Sequence, residues 1–303
     1  MSEDYSGIVG APVTPFTSDN KVDLATFAKQ INFLIENGVS LIAHPMHIGE
    51  SVNMTDQERK DLARVMVEAA AGRVPTFVHV SHAGTDLSVD LAQYADKVGA
   101  TGVVTMAPYH WKPSQDVIID HFKTIASSIK GKLIVYNNPN ATGVPVTPEM
   151  FRQLLDEIPS FVAMKDASFD MKTFTDFCVV NEDSGRNIAL YTGIELLLTS
   201  VPAGGRGCFS ACAEVAPKAT VELFKICSGS DMAAARKAQY RMRKILSLMM
   251  ENYPATIKYS MELLGRPVGI TRKPIMPLDE AAKARAKRLL EELGVMDSEP
   301  HGW

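Results

Sequence analysis

The chain has 303 residues, 46% of them hydrophobic and 22% charged, with a formal net charge of -4. That is the balance of a soluble globular protein with one large core or two ordinary ones, and a pI near 6.0 argues against the basic stripe of a nucleic-acid binder. No basic region precedes an apolar core in "MSEDYSGIVG", so no signal peptide is expected, and no apolar run reaches membrane-spanning length. Cys178, Cys208, Cys212 and Cys227 follow neither a disulfide framework nor zinc spacing, and reduced thiols in the cytoplasm are the simplest expectation.

Along the chain, short β-rich runs alternate with helical patterns up to about residue 225. The predicted strands are "GIVGAPV" (7–13), "VSLIAHPM" (39–46), "PTFVHVS" (75–81), "GVVTMAP" (102–108), "KLIVYNN" (132–138), "FVAMKD" (161–166), "IALYTG" (188–193) and "GRGCFSA" (205–211). Near-continuous apolar strands suit a parallel sheet covered on both faces. Between them, Thr55 and Glu58 form a capping box, and Thr147 caps a helix with Pro148 in its first turn. Eight strand–helix units are the number that closes a (β/α)8 TIM barrel. An open doubly wound sheet is the competitor, weakened because no G-x-G-x-x-G follows the first strand. The glycines of "PAGGRG" (202–207) are read as a tight helix-to-strand turn rather than a phosphate loop.

After residue 225 the strands stop. Segments 231–253, 255–265 and 279–294 read as helices with Gly265 and Gly294 as stops, so the expected division is a barrel over 1–225 and a C-terminal helical domain over 226–303. Met249 and Met250 read as packing residues, and "DSEPHGW" as a disordered end.

The strand "FVAMKD" contains a lysine, which is almost never fully buried unless paired or working. Alternation puts Phe161, Ala163 and Lys165 on one face, and Val162 and Met164 on the other against the helices. Lys165 then points into the barrel above small Ala163, where a dry site lowers its pKa and makes the amine a nucleophile toward a carbonyl. The alternative is a lysine that snorkels out of the strand end or pairs with Asp166. Tyr136, closing the fifth strand, offers a phenolic proton, although a strand tyrosine is commonly structural. In "HIGES" (47–51) a glycine lets backbone N–H groups approach a carboxylate. All three features lie at C-terminal strand ends, where barrels place their active sites.

Together these segments resemble the dihydrodipicolinate synthase and N-acetylneuraminate lyase superfamily of class I aldolases. "GAPVTPF" (10–16) is similar to the family's opening strand, "GES" (49–51) to the end of its Gly-Thr-Thr-Gly-Glu loop, and "APYHWKP" (107–113) to its Pro-Tyr-Tyr segment. "YNNPNATG" (136–143) resembles its Tyr-Asn-x-Pro motif, "MKDAS" (164–168) its Schiff-base strand, and "TGIE" (192–195) and "GGRGCFS" (204–210) its closing strands. The resemblance implies Lys165 as the imine-forming residue and Tyr136 as the proton-transfer residue. It also implies a barrel with a C-terminal helical domain, a homotetramer, and a 2-oxo acid such as pyruvate as substrate with an aldehyde as partner. Neither a cofactor nor a metal is called for.

The pattern departs from the synthases at three places. Their arginine after Tyr-Asn-x-Pro-x is Ala141 here, the two hydroxyl residues of the strand-two loop are His47 and Ile48, and the second tyrosine of Pro-Tyr-Tyr is His110. These departures predict a protein that keeps the imine chemistry but does not make the lysine precursor. The 2-oxo acid end is expected against the N–H groups of His47, Ile48 and Gly49. His47 and His110 would then exchange protons, with Phe209 and Trp111 as aromatic surface suited to an apolar aldehyde; both histidines can equally be structural.

The reaction expected is a lyase step that breaks or forms a C–C bond beside a pyruvate enamine. A Schiff-base dehydratase of a 2-oxo acid is the nearest alternative. A metal-dependent barrel hydrolase, built from His44, His47, His79, His82 and His110, is more distant, because residues three apart on a strand face opposite sides. A non-catalytic sensor would need neither Lys165 nor Tyr136.

Overall fold

The computed structural model describes residues 5–303, so the expectation about the N-terminus falls partly on residues 1–4, outside that range. In chain order the elements are β1 (Gly7–Gly10), α1 (Leu24–Glu36), β2 (Leu41–His44), α2 (Asp56–Ala70), β3 (Thr76–His79), α3 (Thr85–Lys97), β4 (Gly102–Met106) and α4 (Gln115–Ser127). There follow β5 (Lys132–Asn137), α5 (Pro139–Thr142), α6 (Pro148–Glu157), β6 (Phe161–Asp166), α7 (Met171–Ser184), β7 (Ala189–Thr192), α8 (Leu197–Ser200), β8 (Gly207–Ser210) and α9 (Pro217–Cys227). The C-terminal helices are α10 (Met232–Met249), α11 (Ala255–Leu263), α12 (Glu280–Glu292) and α13 (Val295–Ser298).

The eight strands pair in parallel in chain order and β8 returns to β1, closing the expected (β/α)8 barrel with a C-terminal helical part. Closure depends on two facing glycines. Gly7 and Gly207 are register partners with φ of 121° and 147°, and a Cβ on Gly207 would stand 1.8 Å from the Gly7 carbonyl oxygen. Only glycine permits that approach. The turn before β8 is held by Gly204 N–H to the Val201 carbonyl and Gly205 N–H to that of Ser200. Phe27, Phe77, Phe122, Phe151, Phe174 and Phe177 are fully buried and supply much of the core's aromatic bulk.

The predicted caps are present. Thr55 and Glu58 form a reciprocal capping box on α2, and the Thr147 hydroxyl accepts from Met150 N–H at the start of α6. One strand departs from simple alternation. The β5–β6 register shifts so that Leu133 faces Phe161 while Ile134 faces Ala163. The extra residue in β6 is a bulge, which turns Phe161 to the face opposite Ala163 and Lys165. There its ring meets Phe151 of α6 edge-on at 5.8 Å.

The C-terminal helices stay close to the barrel. Gln239 of α10 donates to the Glu195 carbonyl at 2.7 Å and accepts from Leu198 N–H at 3.0 Å. The chain's end is tied down rather than disordered. The Glu299 carboxylate accepts from the Lys218 and Ala219 N–H groups at 3.0 and 3.1 Å, Arg266 donates to the Pro300 carbonyl, and Trp303 packs edge-on against Phe33. These contacts are made with residues distant in sequence, which a local reading of polar "DSEPHGW" cannot anticipate. Among the described residues, no helix is long and apolar enough to cross a membrane.

Candidate active site

At the C-terminal ends of the strands lies a cavity of about 330 Å³. Lys165 enters it from β6 and is 6% exposed. Its neighbour across the ladder is Tyr136 of β5, the register partner of Lys165. The Lys165 amine stands 4.1 Å from the centre of the Tyr136 ring and 4.8 Å from that of Phe209 on β8. Among the described residues no hydrogen bond joins this amine to a protein acceptor. Burial pushes it down from 10.5 to about 7, against a smaller opposing pull from Cys208 and Glu195. Burial therefore makes the neutral amine, with its free lone pair, accessible near neutral pH, the state that attacks a carbonyl carbon.

The Tyr136 phenol is pushed well above its ordinary range by burial, so it keeps its proton. Asn138 Nδ2 donates to its oxygen at 3.0 Å and fixes the ring's tip. The phenol can thus give a proton to an oxygen that becomes negative in the cavity. His47 lies edge-on to the same ring at 6.5 Å between centres. It reaches solvent at the mouth, yet the protein crowding its inner side, with Lys165, holds the imidazole below its usual range.

The Met46–Glu50 loop is a compact turn. Gly49 N–H donates to the Met46 carbonyl and Glu50 N–H to that of His47, each at 3.0 Å. Those two N–H groups are used internally. Among the described residues the His47 and Ile48 N–H groups donate to no protein acceptor, so any anion nest here is formed by these two rather than by Gly49. A Cβ on Gly49 would lie 2.9 Å from His44 Nε2, which explains the glycine as a packing requirement.

Of the expected site residues, Lys165, Tyr136, His47, Ile48 and Phe209 line the cavity. Gly49 stands behind it. His110 is exposed, has a φ of 79°, packs against Trp111 and does not line the cavity within this chain. The histidines considered as metal ligands are turned to other work. His44 Nε2 pairs with the Thr14 hydroxyl at 3.0 Å, His79 Nε2 with that of Ser81 at 2.8 Å, and His82 accepts from Ala83 N–H. Burial, with Arg59, pushes His44 down to about 3 and His79 well below its usual value, so both are neutral.

Several lining residues escaped the sequence reading. Met250 and Tyr253, just after α10, reach back over the barrel mouth, whereas Met249 is buried packing as expected. Phe169 and Ile194 add apolar wall, while Asn138, Asn140 and Ser210 add polar groups. Ser210 donates to the buried Glu195 at 2.5 Å, and Glu195 also accepts from Cys212 N–H at 2.8 Å. The "TGIE" and "CFS" segments carried these last two in plain sight, but nothing in their spacing marks a shared site.

Residues 4–293 match the family model described as the dihydrodipicolinate synthetase family. A 4-hydroxy-tetrahydrodipicolinate synthase of Methanococcus maripaludis is 32% identical over 96% of this chain and 99% of its own. One from Methanocaldococcus jannaschii is 30% identical over 96% of this chain and 100% of its own. The crystal structure of YagE in complex with pyruvate, a prophage protein of the dihydrodipicolinic acid synthase family from E. coli K12, superposes with a TM-score of 0.91. It covers 96% of this chain and 99% of that one at 28% identity. These likenesses correct one expectation: Ala141, the His47–Ile48 pair and His110 do not set the chain apart from the synthases, since full-length relatives at this identity bear the synthase name. Counting lost hydroxyl groups in motifs overlooked the polar groups that Asn138, Asn140, Ser210 and Tyr253 bring to the same cavity. The chain belongs to the dihydrodipicolinate synthetase family and is a class I aldolase, a lyase that makes or breaks a C–C bond between pyruvate and an aldehyde through a lysine Schiff base.

Proposed function

We propose that Lys165 is the Schiff-base lysine and Tyr136 the proton-transfer residue. The neutral Lys165 amine attacks C2 of pyruvate, water leaves, and an iminium forms. Loss of a C3 proton gives the enamine, whose C3 attacks the aldehyde carbon. Tyr136 gives its proton to the alkoxide that results, and water hydrolyses the iminium to release product and amine. Cleavage runs the same steps backwards. The carboxylate of pyruvate lies against the His47 and Ile48 N–H groups, and the His47 ring exchanges protons at the mouth. Phe209 forms the wall opposite Tyr136.

The observation that carries this reading is the amine itself, held near neutrality between two aromatic rings at the floor of a cavity. The helical segment 226–303 acts as a second domain that lends Met250 and Tyr253 to the mouth, and the working enzyme is a cytoplasmic homotetramer. Borohydride reduction with pyruvate, followed by peptide mapping, should place the added mass on Lys165. A tag elsewhere, or none, refutes the assignment. Pyruvate consumption with a panel of aldehydes, scored alongside formation of 4-hydroxy-tetrahydrodipicolinate, then identifies the partner. Release of water without pyruvate exchange would favour a dehydratase instead.

A further inference from the structure

The Met46–Glu50 loop is gripped from behind by residues far along the chain. Glu50, at its end, has a left-handed backbone (φ 57°), and its carboxylate is fully buried. A non-glycine residue holds that conformation only where its surroundings over-determine it. Lys258 of α11 brings its ammonium within 2.7 Å of Glu50 Oε1. The contact is an ion pair rather than an aligned hydrogen bond, because Oε1 has no donor of proper angle. The other oxygen, Oε2, accepts from Arg272 N–H at 2.9 Å.

Lys258 holds the loop by a second route. Its ammonium donates to the Thr14 carbonyl at 2.8 Å and the Ile270 carbonyl at 2.6 Å, and sits 4.6 Å from the centre of the Phe16 ring. The Thr14 hydroxyl in turn donates to the Gly49 carbonyl at 2.5 Å. One buried cation thus fixes Glu50 directly and Gly49 through Thr14. Between these anchors and the cavity lie His47 and Ile48, whose N–H groups have no protein acceptor.

We propose that Lys258 is a positioning residue for the 2-oxo acid: through Glu50 and Thr14 it sets the shape in which the His47 and Ile48 N–H groups meet the substrate carboxylate. This rests on the reading of those two groups as the carboxylate's seat. Lys258 touches no substrate. Its effect should fall on ketones that carry a carboxylate and spare ketones that lack one, a distinction that general loss of packing would not make.

The test compares reductive trapping at Lys165 with pyruvate and with acetone, in the full chain. Lys258→Met alone strands the Glu50 charge, so the informative protein is the double variant Glu50→Gln/Lys258→Met, which removes both buried charges together. It should raise the half-saturating pyruvate concentration about tenfold or more, as expected for misaligned hydrogen bonds to a charged group. The trapping rate at saturating pyruvate, and the rate with acetone, should stay within about threefold of wild type. Unchanged half-saturation by pyruvate, or an equal fall with pyruvate and acetone, overturns the proposal. Should the double variant not fold, Thr14→Val decides in its place: it cuts the tether to Gly49 along with the His44 contact behind the loop, and it must shift pyruvate half-saturation in the same direction while sparing acetone. Wild-type protein left untagged at Lys165 by pyruvate would overturn both the reading of the site and the positioning role. A tagged wild type beside an unresponsive variant overturns the positioning role alone.

Discussion

Replacing Lys165 with methionine should abolish imine trapping and yet make the protein more stable. The amine falls from 10.5 to about 7 because burial disfavours its charged form. Between pH 7 and 10.5 the folded protein therefore binds fewer protons at this site than the unfolded chain, so its stability rises with pH across that window, and the penalty is fully present below pH 7. The full gap corresponds to about 5 kcal/mol, and to roughly 4 kcal/mol at pH 7, where part of the folded population is already neutral. Some of this is offset by attraction of the ammonium to the Tyr136 and Phe209 rings, about 1–2 kcal/mol for a desolvated pair. Methionine fills similar space and suits the same rings. A net gain of roughly 2–4 kcal/mol at pH 7 is expected. Paired urea titrations at one protein concentration, run at several values between pH 6 and 10, would measure it. The variant's advantage should be greatest at the acid end and should shrink toward pH 10. A variant no more stable than wild type, or an advantage that does not vary with pH, would show that the amine is not held neutral by burial.

The remaining predictions test other parts of the site and the fold. Trapping by pyruvate in the wild type should weaken as pH falls below about 7, approaching tenfold per pH unit below about pH 6, because protonation of Lys165 removes the lone pair; a rate flat down to pH 5 would contradict the assigned pKa. Tyr136→Phe should still be tagged at Lys165 but lose roughly 10²–10⁴ in turnover, the range for removing a positioned acid, and near-normal turnover would exclude Tyr136 from proton transfer. Glu299→Ala removes the carboxylate that caps α9 through Lys218 and Ala219 and should cost about 1–2 kcal/mol, read as a lower thermal midpoint with trapping unchanged.

Where a residue's role depends on its own strand or turn, the chain could be read directly. The eight strands announced themselves as apolar runs because both faces of a barrel strand are buried, and Thr55 with Glu58, and Thr147 with Pro148, marked helix starts through local hydrogen bonding. Lys165 was conspicuous for the same reason: a charge stood where burial was certain. The β6 bulge was not legible, because "FVAMKD" alternates acceptably with or without an extra residue, and only the register against β5 reveals it. Phe169 comes to the cavity from the loop after β6, and Met250 and Tyr253 from the turn between α10 and α11, so their position depends on tertiary packing that leaves no periodic trace. His110 shows the converse: its place in a motif suggested the cavity, while its backbone turns it out to solvent beside Trp111.

Among the described residues two lysines are buried, and the contrast between them explains why only one is read as a nucleophile. Lys258 is ringed by the Glu50 carboxylate, two backbone carbonyls that accept from it and the face of Phe16, so that, although burial lowers it to about 8, its ammonium is surrounded by partners. Lys165 has two aromatic faces, no hydrogen-bond acceptor among the described residues, and open cavity in front of it. A buried ammonium with partners is a clamp, because moving it breaks several contacts at once. One without partners gives up its proton at modest cost, and its lone pair then faces whatever ketone enters. Burial alone therefore does not make a catalytic lysine; withholding acceptors from it does. A carboxamide or carboxylate placed beside Lys165 should accordingly raise its pKa and slow trapping at neutral pH. Ala163→Asp, directly beneath it on the same face of β6, provides that partner, and trapping that is as fast at pH 7 as in the wild type would refute the distinction.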